Sequence, residues 1–224
     1  TLQKMIEAAD LPEEQCERAK FSAMQWLDAI APSNYLATNP DVQQTLLETK
    51  GMSLLQGMTN FLEDMQKGRM SQTDENSFEV GVNLAITPGQ VVYENTLFQL
   101  IQYTPQTPQV YKTPLLMVPP CINKYYILDL QPDNSFVGYA VEQGFTVFMI
   151  SWRNPQPTDP DGIDKATWAD YLQHGVLQAI DVVRDISGEE KINALGFCVG
   201  GTLLASALAV SRARGEDPIN SLSL

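Results

Sequence analysis

The sequence predicts an α/β protein preceded by a mainly helical N-terminal domain, and three observations carry that reading. Apolar residues in the first third recur at helical spacing. From Pro114 onward, short apolar runs alternate with helical stretches, the pattern of parallel strands joined by crossover helices. A Gly-x-Cys-x-Gly sequence stands between one of those runs and a helix. With 224 residues, 44% of them hydrophobic, the chain can bury a real core without disulfides or metals.

Leu11-Pro12-Glu13-Glu14 is a proline and acidic first turn, and Phe21, Met24, Leu27 and Ala31 follow it as one helical face. Asn39-Pro40-Asp41 starts a second helical region, with Val42, Leu46, Met52, Leu55, Met58, Phe61, Leu62 and Met65 as its apolar positions. Gly51 and Gly57 interrupt it, so two helices or one broken helix are expected. Methionine at such spacing is expected to fill core. Gly68 to Ser77 is polar, and Pro105, Pro108 and Pro114 punctuate the stretch after Tyr103. Between them, Val91-Tyr93 and Leu97-Tyr103 favour strands.

Leu115-Val118 then reads as a buried strand, Phe136-Gln143 as a helix stopped by Gly144, and Thr146-Ile150 as the next strand. Trp168, Leu172, Val176, Ala179 and Val183 form a helical stripe running to Gly188. Lys191-Phe197 is a strand, and a helix runs from about Val199 to Arg214, with Gly215 as its stop and Pro218 beyond. The alternation Ser221-Leu222-Ser223-Leu224 reads as a strand cut short, and the chain as a piece of a longer polypeptide truncated after the helix that follows Cys198.

Several function classes are disfavoured. Fourteen basic against 27 acidic residues give a net charge of −13 and no basic face for nucleic acid. The three cysteines, Cys16, Cys121 and Cys198, have no CxxC or Cys/His ligand spacing, so free thiols, no metal site and a cytoplasmic location are expected. No apolar run has the roughly 18 residues of a transmembrane segment.

Gly196-Phe197-Cys198-Val199-Gly200-Gly201, between strand and helix, has the context of a nucleophile elbow, the strained turn that presents the nucleophile of the α/β-hydrolase fold. Gly196 and Gly200 lack side chains so that strand and helix can approach each other. Cys198 takes the nucleophile's place, and the positive end of the helix dipole there favours a thiolate, suited to attack on thioesters. The alternative is that Cys198 is a small buried hydrophobe. One oxyanion donor would be the Val199 N–H and the second an amide of the loop Pro119-Pro120-Cys121-Ile122-Asn123. A base and its carboxylate should follow the nucleophile, yet no histidine does. The sole histidine, His174, shares its helix face with Asp170, Gln178 and Asp181 and reads as solvated. Asp129 suits a cap or turn, and Arg153 either a ligand contact or a loop salt bridge.

Three stretches, Thr113-Pro114-Leu115-Leu116-Met117-Val118-Pro119-Pro120-Cys121-Ile122-Asn123-Lys124-Tyr125-Tyr126-Ile127-Leu128-Asp129-Leu130, Ser151-Trp152-Arg153-Asn154-Pro155 and Leu195-Gly196-Phe197-Cys198-Val199-Gly200-Gly201-Thr202, closely resemble the class I polyhydroxyalkanoate synthases in content and order. Ala31-Pro32-Ser33-Asn34-Tyr35-Leu36-Ala37-Thr38-Asn39-Pro40 resembles that family's N-terminal helical domain. The resemblance implies an acyltransferase that polymerises (R)-3-hydroxyacyl-CoA, with 3-hydroxybutyryl-CoA as the expected monomer. Cys198 would carry the growing chain as a thioester, with Val199 and Ile122 as oxyanion donors and no cofactor, acyl-CoA being substrate. The family's Asp and His partners belong to motifs beyond Leu224. Cys121 stands where the family usually has tryptophan. The resemblance also implies a homodimer working at polyester granules in the cytoplasm. An acidic protein repels acyl-CoA at long range, so a local basic patch must offset that. The expected organisation is a helical domain at 1–75, a linker with the first strands at 76–113, and the N-terminal part of an α/β-hydrolase catalytic domain at 114–224. The rival readings are a cysteine-dependent thioesterase or hydrolase of the same fold and a non-catalytic granule-associated subunit.

Overall fold

The computed structural model describes residues 2–9, 11–74, 76–156 and 158–224, and divides into two compact units, Thr1–Asp74 and Glu75–Leu224.

The first unit contains α1 (Leu2–Glu7), α2 (Glu13–Ala29), α3 (Pro40–Glu48) and α4 (Met52–Lys67). Helix α2 ends two residues before Ala31, because Pro32 disfavours helical backbone in the residue before it. Asn39 caps α3 by accepting hydrogen bonds from the Asp41 (2.9 Å) and Val42 (3.3 Å) amides, with Pro40 at the first helical position. The break between α3 and α4 falls at Lys50 and Gly51, both with positive φ, while Gly57 is accommodated inside α4. The apolar stripes of these helices stay exposed. Phe21, Trp26 and Phe61 are more than 60% accessible, and Met52, Met58 and Met65 are exposed rather than core-filling. Helices α2, α3 and α4 bury no residue.

The second unit is built on a six-stranded sheet. Its strands are β1 (Gly89–Glu94), β2 (Phe98–Tyr103), β3 (Leu115–Val118), β6 (Val147–Trp152), β7 (Ile192–Gly196) and β8 (Ile219–Ser223), in the order β1-β2-β6-β3-β7-β8. A small ribbon, β4 (Asp129–Gln131) with β5 (Asn134–Ser135), lies apart. The β1–β2 hairpin turns on Asn95, whose side-chain oxygen accepts from the Leu97 and Phe98 amides. Strands β1, β2 and β6 run antiparallel to their neighbours in that series, whereas β6, β3, β7 and β8 are parallel. Helix α5 (Phe136–Glu142) carries the chain from β3 to β6 on one side of β3. The segment α6 (Trp168–Asp170), a π-helical stretch (Tyr171–Leu177) and α7 (Gln178–Ser187) then carry it to β7 on the other side. The chain therefore reverses direction around β3, and crevices at such reversals, at the carboxyl ends of the strands, are where α/β sheets bind ligands.

Alternation along the central strands supplies a core on each face. Leu116, Val118, Phe148 and Ile150 pack with Val176, Ile180, Val183, Leu203 and Leu204. Met117, Val147 and Met149 pack with Val137, Ala140 and Val141 of α5. All are essentially inaccessible apart from Ala140, which is 5% exposed, and each large side chain so buried contributes about 1.5–3 kcal/mol of transfer free energy.

Asp129 is a structural carboxylate. It is 1% exposed, and its Oδ1 accepts from Thr87 Oγ1 and Ser135 Oγ, both at 2.6 Å. Ser135 in turn caps α5 through the Gly138 amide at 2.8 Å.

Candidate active site

Helix α8 (Val199–Ala213) begins immediately after Cys198, and Cys198 has φ 56° and ψ −125°. That is a left-handed conformation for a residue with a side chain, of the kind held only where the surroundings impose it. The surroundings here are two tight backbone approaches. A Cβ on Gly200 would stand 2.0 Å from the Val118 carbonyl oxygen and 2.7 Å from the Pro119 carbonyl carbon. One on Gly196 would stand 2.5 Å from Gly201 Cα. Strand β7, the start of α8 and the end of β3 are thus within backbone contact, and the Phe197 amide donates to the same Val118 carbonyl at 3.0 Å. The thiol itself is exposed, so Cys198 is not a buried packing residue.

The approach of Gly200 to Val118 and Pro119 also brings the loop after β3 alongside the nucleophile. Val199, as the first residue of α8, has no preceding helical carbonyl to bond. Neither its N–H nor that of Ile122 has an acceptor among the described residues. The loop is closed by a turn in which Asn123 N–H donates to the Pro120 carbonyl at 3.1 Å. Ile122 points its side chain to solvent, while Cys121 is partly buried against the core, and that burial pushes its thiol pKa up. A raised thiol is a poorer thiolate, consistent with a packing role for Cys121.

The structure does not bring His174 to this place. It is exposed in the π-helical stretch and lines a surface cavity with Thr96, Asp161, Lys165 and Asp170, none of them part of the elbow or the loop. Arg153, at the end of β6, is engaged by Asp159 (3.2 Å) and Asp161. The hydrogen bond to Asp161 holds the guanidinium pKa up and the Asp161 carboxyl down. These pairs form the loop salt bridge that is one of its two sequence readings.

Trp152 belongs to the Ser151–Pro155 stretch that carries the resemblance, which assigns it no role. It is 4% exposed, and its indole N–H donates to the Pro119 carbonyl at 2.8 Å. The pointer in the sequence is Gly175, a lone glycine inside a helical pattern. A Cβ there would stand 2.8 Å from two carbons of the Trp152 ring. Among the described residues no group of three or more His, Cys, Asp or Glu is placed to hold a metal ion, and no helix is long and apolar enough to cross a membrane.

Comparison with known proteins adds sequence-wide evidence. Residues 1–140 match the family model described as "Poly-beta-hydroxybutyrate polymerase (PhaC) N-terminus", and residues 114–224 match "alpha/beta hydrolase fold". The poly(3-hydroxyalkanoate) polymerase subunit PhaC of Cupriavidus necator is 53% identical over 223 residues, covering 100% of this chain and 37% of that protein. The poly(3-hydroxyalkanoate) polymerase of Methylorubrum extorquens is 43% identical, covering 98% of this chain and 36% of its own. The chain therefore spans little more than a third of the length of these relatives. Among solved structures, brefeldin A esterase, a bacterial homologue of human hormone sensitive lipase, is similar at 17% identity with a TM-score of 0.42, covering 61% of this chain and 37% of that one.

Proposed function

The chain belongs to the poly-beta-hydroxybutyrate polymerase (PhaC) family, and from that membership we propose that the protein is an acyltransferase polymerising (R)-3-hydroxyacyl-CoA, with 3-hydroxybutyryl-CoA as monomer, into polyhydroxyalkanoate. The observation that carries the reading is Cys198: an exposed thiol, held at positive φ, at the mouth of a helix and beside a loop with an unengaged amide. In this reading the Cys198 sulfur attacks the thioester carbonyl, and the electron pair moves onto the carbonyl oxygen, where the Val199 and Ile122 amides receive it. As that pair returns, the bond to CoA breaks and the acyl group remains on Cys198 as a thioester. CoA leaves with the proton that the thiol gave up. The hydroxyl oxygen of the next monomer then attacks that thioester, the bond to the Cys198 sulfur breaks, and the hydroxyl proton returns to the sulfur through the base. The base for both proton transfers, with its carboxylate partner, is assigned to sequence after Leu224, since His174 is placed elsewhere. No cofactor is required, because the acyl-CoA supplies the activated group.

We assign the polyester granule in the cytoplasm as the place of action and a homodimer as the working form. The exposed Phe21, Trp26, Met52, Met58, Phe61 and Met65 of the first unit support a granule contact. Removal of residues 1–70 is expected to detach the protein from granules.

The test supplies the full natural polypeptide with (R)-3-hydroxybutyryl-CoA and compares CoA released with free acid and extractable polymer. Polymer with little free acid is expected. Stoichiometric free acid would instead make the protein a thioesterase on the same elbow.

A further inference from the structure

We propose that Trp152 is a positioning residue for acyl transfer: its indole N–H clamps the Pro119 carbonyl and so fixes the loop that presents the Ile122 amide. The proposal rests on the polymerase reading above.

The loop Pro119–Asn123 begins with two prolines, and proline has no N–H. Its first two residues therefore cannot be anchored by donating hydrogen bonds, and must be held through their carbonyls. The Pro120 carbonyl is used by the turn to Asn123, and the Pro119 carbonyl is taken by Trp152 at 2.8 Å, in a buried bond between groups 33 residues apart. The Pro119 carbonyl oxygen is met by two elements: the start of α8, where a Cβ on Gly200 would stand 2.8 Å from it, and the Trp152 indole.

That ring is itself fixed. Phe98 meets it edge-on with centroids 6.0 Å apart, Tyr171 lies 5.4 Å away, and Gly175 leaves room for it that a single methyl group would fill. The space comes from the π-helical stretch Tyr171–Leu177, which contains both Tyr171 and Gly175. An indole wedged by packing and carrying one well-aimed donor is suited to hold a loop within the few tenths of an ångström that oxyanion geometry needs.

The clamp acts on the steps that place charge on a carbonyl oxygen: attack of Cys198 on the monomer thioester and attack of the hydroxyl on the acyl-Cys198 thioester. Loss of the Ile122 donor weakens stabilisation of the carbonyl oxygen during attack on the thioester. It leaves the Cys198 sulfur and its helix terminus in place. Alkylation of Cys198 by iodoacetamide forms a C–S bond and expels iodide without any oxyanion, so it reads the nucleophile alone.

The experiment uses the full natural polypeptide with Trp152→Phe, which keeps an aromatic ring and removes the N–H. CoA release from (R)-3-hydroxybutyryl-CoA is expected to fall about 10- to 100-fold in kcat, the scale of a misplaced catalytic group. KM and the iodoacetamide rate at Cys198 should each stay within about twofold of wild type. Gly175→Ala, which pushes the ring, should show the same split, and it carries the test if Trp152→Phe does not fold. Val141→Ala, in the core cluster on the other face of the sheet from Trp152, should lower the melting temperature and spare kcat. Wild-type kcat in both Trp152→Phe and Gly175→Ala overturns the clamp. So does an equal fall of acyl transfer and alkylation, which would mean that the elbow as a whole had collapsed. A wild-type protein that releases no CoA overturns the polymerase reading itself, and the clamp's role with it.

Discussion

At Cys198 the backbone angles and the accessibility make the same point: a side-chain-bearing residue is held at φ 56° at an exposed position. Cys198→Ala should therefore reduce CoA release to background. Because the replaced side chain is exposed, stability should change by less than about 0.5 kcal/mol, measured by thermal unfolding. Gly200 is the opposite case, a residue whose missing side chain matters. Gly200→Ala drives a methyl group into the Val118 carbonyl, so strand or helix must shift. An overpacking penalty of about 1–3 kcal/mol and a loss of CoA release larger than that of a surface variant are expected. The need for glycine at 196 and 200 was readable from the motif. The role of Trp152 was not, because a hydrogen bond between residues 33 positions apart leaves no local signature.

At the scale of elements, the strands Leu115–Val118, Val147–Trp152 and Ile192–Gly196 fall where apolar runs predict them, and α8 begins and ends where its elbow and Gly215 require. Periodicity does not announce the π-helical stretch. The stripe Trp168, Leu172, Val176, Ala179 and Val183 fits an α-helix, and the wider turn at Tyr171–Leu177 is where Gly175 faces the Trp152 ring. The β4–β5 ribbon has no local signature either, since Asp129 in it is bonded to Thr87, 42 residues away, as well as to Ser135. Asp129→Ala strands two hydroxyl groups and loosens the α5 cap, and should destabilise the protein by about 1–3 kcal/mol, seen as a lower denaturation midpoint at unchanged m-value. The start of α6 offers a pH signature. Thr167 and Asp170 form a capping box, and the Thr167 hydrogen bonds hold the Asp170 carboxyl below its usual range. A carboxyl lowered in the folded state stabilises above its unfolded pKa, and that contribution disappears as pH falls through the lowered value. Thr167→Ala should accordingly lower the melting temperature at neutral pH, with the difference from wild type shrinking in acid.

At the scale of the whole molecule, the helical and sheet-based units differ in how they satisfy their apolar residues. The sheet unit encloses a core on both faces, whereas the helical unit leaves its aromatic and methionine side chains accessible. Helical spacing alone could not distinguish these cases, because it reports which residues share a face and not whether anything covers it. The described residues between Gly68 and Val80 are largely irregular and exposed. Limited trypsin digestion should cut at Lys67 or Arg69 before any site within the sheet, as N-terminal sequencing of the product would show. First cleavage inside β1 to β7 would contradict the division into two units.

Acyl transfer through Cys198 is the step on which every other role in the site depends. The most direct measurement is to quench the full natural polypeptide during turnover of (R)-3-hydroxybutyryl-CoA, digest it, and weigh the peptide containing Cys198. A hydroxyacyl adduct on that peptide, labile to hydroxylamine as a thioester is and absent from Cys198→Ala, is the predicted result. An adduct on Cys121, or turnover with Cys198 unmodified and replaceable, would contradict it.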